Sequence, residues 1–337
     1  MSWSLPPARG PHLHRACFEP VGLTLGISSA AFFGLNAVLI RIGMRRRPWD
    51  DGHFMSVLVN VAVFGAILPF LTLPQWDWEG AFIFVLAGLL TTWMARGASF
   101  KAIRLLGPAR QSAVLISAPL FTGMTGWMFL GERLSLLQGF AGVLVLAGVA
   151  LVIASHGRPR SSRRDTLTAS PDPVIAELPS EEPQGRNVPG RSRVRGFAYA
   201  LVAAVMFGVG FVVRKQGLAR YPSALTGAYL GAATSLLLIL TTSTFRGRLR
   251  SLAADNFRHI PFPFLAAGIL TSIGLFFQFT ALLYLPAWMV SVFQGTVSLW
   301  TLFWSYVFIK EEEQIDVALV ASTLIVVAGV VLMSIQL

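Results

Sequence analysis

Charge is scarce in this sequence, and acidic charge is missing from its long apolar runs. Of 337 residues, 13% are charged and 54% hydrophobic. A soluble domain carries about 25% charged residues, so a water-soluble globular fold is excluded. Cysteine occurs once, at Cys17, which excludes an intrachain disulfide. The histidines (His12, His14, His53, His156 and His259) lie outside the centres of the apolar runs and lack metal-ligand spacing, so no metal or cofactor is expected. Residues 1–20 carry prolines and charge where a cleaved signal peptide needs an apolar stretch, and are read as an N-terminal tail. The motifs H-E-x-x-H, G-x-S-x-G and the P-loop are absent. No enzyme is expected and no catalytic residue is assigned.

Long apolar runs fill the space the charges leave. Ten can be marked: 21–43, 54–73, 81–99 (continuing to about 103), 108–130, 134–155, 196–218, 222–242, 262–285, 287–309 and 317–336. Each approaches the ~20 residues with which a helix crosses a hydrocarbon core of ~30 Å. Strands of an outer-membrane barrel would instead alternate over ~10-residue segments. The fold expected is an all-α integral membrane protein of about ten transmembrane helices. Residues 156–195, rich in Arg, Pro, Ser and Glu, cannot build a core and are read as a disordered polar linker. They separate a first five-helix unit, 21–155, from a second, 196–337.

The two units repeat one another. Phe33-Gly34, Asn36, Arg41, Gly43 and Pro48 align without a gap with Phe207-Gly208, Gly210, Lys215, Gly217 and Pro222. Ala87-Gly88 with Thr91-Thr92 matches Ala267-Gly268 with Thr271-Ser272, and Leu146-Ala147-Gly148-Val149 matches Val327-Ala328-Gly329-Val330. Five is odd, so the second copy enters the bilayer from the opposite side, giving an inverted-topology repeat.

These residues carry a resemblance. Gly34, Asn36 and Arg41, with Phe33 in place of a tryptophan, are similar to the first-helix pattern of EamA-type carriers of the drug/metabolite transporter superfamily. Pro119, the turn Gly131-Glu132-Arg133-Leu134, then Gln138, Gly142 and Gly148-Val149 resemble that family's fourth and fifth helices. The second unit departs from it, with Ser298 or Trp300 where a proline would fall and Lys310-Glu311-Glu312-Glu313 as its turn. The resemblance implies an inverted-repeat carrier that moves small metabolites by alternating access.

Every Asp and Glu lies in a loop, the linker or a helix end, so a pump that exchanges protons through a buried acid is disfavoured. The intramembrane charges are basic. Arg96 sits deepest, while Arg41, Lys101, Arg104, Arg214 and Lys215 are placed where long side chains snorkel to headgroups. The opposing reading gives the deeper cations a cavity in which to attract a carboxylate or phosphate. The substrate-cavity candidates are Asn36, Arg41, Thr91, Arg96, Gln111, Ser117, Lys215, Gln278 and Gln294. Glu132 and Arg133 are read as a structural turn, and the small-residue pairs Gly22/Gly26 and Gly227/Gly231 as close packing.

The expected function is secondary transport of a small polar metabolite, zwitterionic or anionic, across the inner membrane. A broad-specificity exporter and a non-transporting structural or receptor-like membrane protein are the alternatives. The partners are a small-molecule substrate and the lipid bilayer, with a homodimer left open. The +11 net charge is no nucleic-acid footprint, because its arginines cluster at the ends of apolar runs. Loop arginines are richer on the linker side, which puts the linker in the cytoplasm and the termini outside, whereas the resemblance implies cytoplasmic termini.

Overall fold

The computed structural model describes residues 15–46, 52–106, 114–115, 117–132, 135–156, 190–245, 247, 262–309, and 325, 328, 329 and 332. Those in regular structure are helical. The first unit supplies α1 (Arg15–Arg46), α2 (His53–Ile67), α3 (Trp78–Gly88), a π-helical segment (Leu89–Ala95), α4 (Arg96–Leu106), α5 (Ala118–Leu130) and α6 (Leu136–His156). The second supplies α7 (Gly190–Arg220), α8 (Ala224–Phe245), α9 (Phe262–Tyr284), α10 (Ala287–Gly295) and α11 (Val297–Ile309). Helix α1 starts inside the stretch read as a tail, and α7 starts inside the stretch read as linker. Six described helices are long and apolar enough to cross a membrane, three from each unit. Large apolar side chains such as Trp127, Met128, Leu136 and Phe245 stand on the outside, as lipid-facing helices require.

Two of the expected spans are interrupted. The run 287–309 breaks between α10 and α11, where the hydroxyl of Thr296 donates to the carbonyl of Phe293 at 2.6 Å. The run 108–130 contains the same device, with the Ser117 hydroxyl donating to the Val114 carbonyl at 2.7 Å. A hydroxyl that takes an upstream carbonyl competes with the helical ladder. The tenth expected span, 317–336, lies outside the described residues apart from positions 325, 328, 329 and 332.

Helix packing follows a two-fold exchange. Helix α1 packs on α9 while α7 packs on α3, the π segment and α4; α2 packs on α9 while α8 packs on α3; α1 meets α10 and α11 while α7 meets α5. Each contact maps onto its partner when the units are swapped. Residue detail agrees. A Cβ on Gly34 would lie 2.5 Å from Trp300 Cβ, and one on its counterpart Gly208 would lie 2.7 Å from the Ala118 carbonyl oxygen. Gly43 faces the ring of Phe264 and its counterpart Gly217 the ring of Phe84. Gly22, near the start of α1, and Lys215, near the end of α7, both meet Leu285 just past the end of α9. The leading helices of the two units therefore run in opposite directions.

Candidate functional site

Between the two units lies a cavity of ≈ 340 Å³. On α1 the wall is Phe33, Asn36 and Ile40; on α7 it is Phe207, Phe211 and Arg214. Spacings of three and four residues put each trio on one helical face. Phe33 and Ile40 correspond to Phe207 and Arg214 in the repeat alignment, so the same face of each leading helix meets the lumen. The π segment adds Thr91 and Thr92, α4 adds Arg96 and Ser99, α9 adds Leu275 and Gln278, and α10 adds Ser291 and Gln294. His53 and Ser56, at the start of α2, complete one end.

Arg214 is the electrostatic centre. It is buried at 6% exposure. One terminal nitrogen donates to Gln278 Oε1 and the other to Thr91 Oγ1 at 2.6 Å. The rings of Phe279 and Phe211 lie 5.0 and 5.8 Å from its guanidinium carbon. All these partners are neutral, and no carboxylate lines the cavity among the described residues. The π segment presents Thr91 to this cation. Thr91 bears directly on Gly210, where any Cβ would collide with its methyl group, and donates its own proton to the Ala87 carbonyl at 2.7 Å. Helical irregularities of this kind concentrate at functional sites.

Two charged side chains outside the cavity wall hold the α9–α10 connection. Lys215 Nζ donates to the carbonyls of Leu282 and Leu285, at the end of α9. Glu132 Oε1 accepts the backbone N–H of Ala287, the first residue of α10, at 2.8 Å. A cation on a helix C-terminus and an anion on an N-terminus are both favourable placements. The turn that brings Glu132 there depends on Gly131, whose φ of 63° is the left-handed region that glycine reaches without strain.

The profile of the EamA-like transporter family matches residues 20–154 and again residues 194–335. The chain belongs to the EamA-like transporter family. It is thus a multi-pass membrane transporter with two family repeats, as the Gly-Glu-Arg-Leu turn and the internal alignment led one to expect. A solved crystal structure is similar to this transporter over 94% of its chain and 98% of the other, with a TM-score of 0.63 at 15% identity, a likeness of fold alone. No curated protein matches it in sequence.

Of the sequence-derived candidates, Asn36, Thr91, Arg96, Gln278 and Gln294 line the transporter's cavity. Two are corrected. Ser117 is not part of the wall, because its hydroxyl is committed to the helix break through Val114. Lys215 is not part of it either, because it points to the α9 terminus, about 100° round α7 from Arg214. Gln111 and the side chain of Arg41 lie outside the described residues. Arg214, read from sequence as a snorkelling cation, is instead a buried member of the wall, and His53 and Ser56 were not singled out at all. The signal that finds Arg214 is the helical face begun by Phe207 and Phe211; the repeat match pointed to its neighbour.

Proposed function

We propose that this EamA-family transporter moves a small anionic or zwitterionic metabolite by alternating access across the inner membrane, through ten helices in two inverted fives. The observation that carries the reading is Arg214, a buried cation on the cavity wall whose partners among the described residues are all neutral. A buried charge without a counter-charge is costly, and an anion entering the lumen removes that cost. Arg96 lines the same lumen from the other repeat, so a bound anion touches both units. Alternating access finds support in the two-fold exchange of helix contacts, which lets one unit rock against the other and present the cavity to each side in turn.

Reconstituted proteoliposomes test this. Amino acids, organic acids and phosphorylated metabolites should include a substrate whose uptake falls at least tenfold in Arg214→Gln, while organic cations are not carried. Uptake of organic cations in preference to every anion and zwitterion, or full anion uptake by Arg214→Gln, would refute the assignment.

A further inference from the structure

Several polar groups on the cavity wall are hydrogen-bonded within the protein. The Thr91 hydroxyl donates to Ala87 and accepts from Arg214. Gln278 Oε1 accepts from Arg214. Gln294 Nε2 donates to Ser29 Oγ at 3.0 Å, and that hydroxyl donates onward to the Gly274 carbonyl at 2.8 Å. Ser291 Oγ accepts from Thr122 at 3.0 Å. Asn36 and Arg214 each keep one atom outside this network. Among the described residues, Asn36 Oδ1 and Arg214 Nε are buried and have no hydrogen-bond partner. Native interiors rarely leave such groups unpaired, and each calls for an explanation.

One orphan is a neutral acceptor and the other a charged donor. They stand on α1 and α7, the leading helices of the two repeats, on the wall of one small cavity. The ligand that completes both carries an anionic acceptor for Arg214 and an N–H or O–H donor for Asn36. Phe33, Phe207 and Leu275 line the same space and suit a hydrocarbon body. Resting on the anionic-substrate reading above, we propose that Asn36 is a specificity-determining residue, selecting amino or hydroxy acids with an apolar side chain over acids that lack the donor. The symmetry-related position in α7 is Gly210, which has no side chain to duplicate the acceptor. Of the two orphan atoms, the first repeat therefore supplies the acceptor and the second the cation.

Binding of L-leucine, leucic acid (its hydroxy analogue) and isocaproate (the same skeleton without the donor) to the purified full-length transporter in nanodiscs tests this. Leucine and leucic acid should bind the wild type roughly tenfold more tightly than isocaproate, about one hydrogen bond's worth. Asn36→Leu should bind all three alike, at the affinity of isocaproate, whereas Arg214→Gln should weaken all three. Equal binding of leucic acid and isocaproate by the wild type overturns the role of Asn36 whether or not the variant folds. An equal loss for all three ligands in Asn36→Leu does the same, since that marks a merely structural residue. If the donor preference fails while Arg214→Gln still weakens every acid, the anionic reading stands without this refinement. If the wild type binds none of the three, the role of Asn36 falls and the anionic reading is decided by the uptake test above.

Discussion

Gly88 and Gly231 face each other where α3 crosses α8, yet they are not equivalent. A Cβ built on Gly88 would lie 2.6 Å from both the Cα and the carbonyl oxygen of Gly231. These are backbone atoms, which cannot swing away. A Cβ built on Gly231 would lie 3.6 Å from Gly88 Cα, an ordinary contact. Gly88→Ala must therefore push the two helices apart, and it lengthens the contact of Ser235 Oγ with the Gly88 carbonyl, already 3.4 Å. Overpacking of this kind costs about 1–3 kcal/mol, against which removing a helical glycine returns about 0.5–1 kcal/mol. The net loss for Gly88→Ala is centred on about 1 kcal/mol and reaches at most about 2.5 kcal/mol, whereas Gly231→Ala is neutral or stabilising by up to about 1 kcal/mol. Thermal unfolding of the two variants and the wild type in the same detergent, followed by tryptophan fluorescence, reads the difference as a Tm lowered by a few degrees in Gly88→Ala only. Equal destabilisation by the two substitutions, or a wild-type Tm in Gly88→Ala, would refute the packing argument.

Three further outcomes are expected. Glu132→Ala and Lys215→Met each remove a terminal cap and should lower stability by about 1 kcal/mol without changing which substrates are carried; uptake selectivity beside unfolding midpoints checks both halves. Thr91→Val leaves a buried Arg214 donor unpaired and should reduce anion uptake, while Thr91→Ser keeps the hydroxyl and restores it, as a proteoliposome assay of the two variants will show. Arg220→Gln breaks the ion pair with Glu79, 3.1 Å long and with both side chains more than 60% exposed, so its unfolding midpoint should stay within about 0.5 kcal/mol of wild type.

Much of the fold was legible as runs of apolar residues, because a bilayer forces each span to satisfy its own backbone. The repeat could be read from Phe33-Gly34 and Phe207-Gly208 because each glycine lies against a helix of the opposite unit, a contact that leaves the same mark twice. The helix breaks at Ser117 and Thr296 were not legible, since a hydroxyl inside an apolar run reads equally as a bridge between helices, a ligand contact or a bond to its own backbone. The site was half legible. Polar residues inside spans singled out Asn36, Thr91, Arg96, Gln278 and Gln294, but alignment of the repeats favoured Lys215 over Arg214. Arg214 has Ile40 as its counterpart, so it breaks the internal symmetry that made Lys215 conspicuous beside Arg41. His53 went unmarked because it stands at the edge of a span, where a polar residue needs no explanation.

The sequence by itself determined that the chain is a helical membrane protein made of two related units, and it put every Asp and Glu outside the centres of the apolar runs. Each follows from composition, periodicity or local chemistry. Only the tertiary structure decided which cation meets the cavity and which caps a helix. Arg214 and Lys215 are neighbours in the chain with the same sign of charge, and the helical turn between them sends one to Gln278 and Thr91 and the other to the carbonyls ending α9. A side chain's role here is set by the helix it faces, and that is a property of packing between the two repeats.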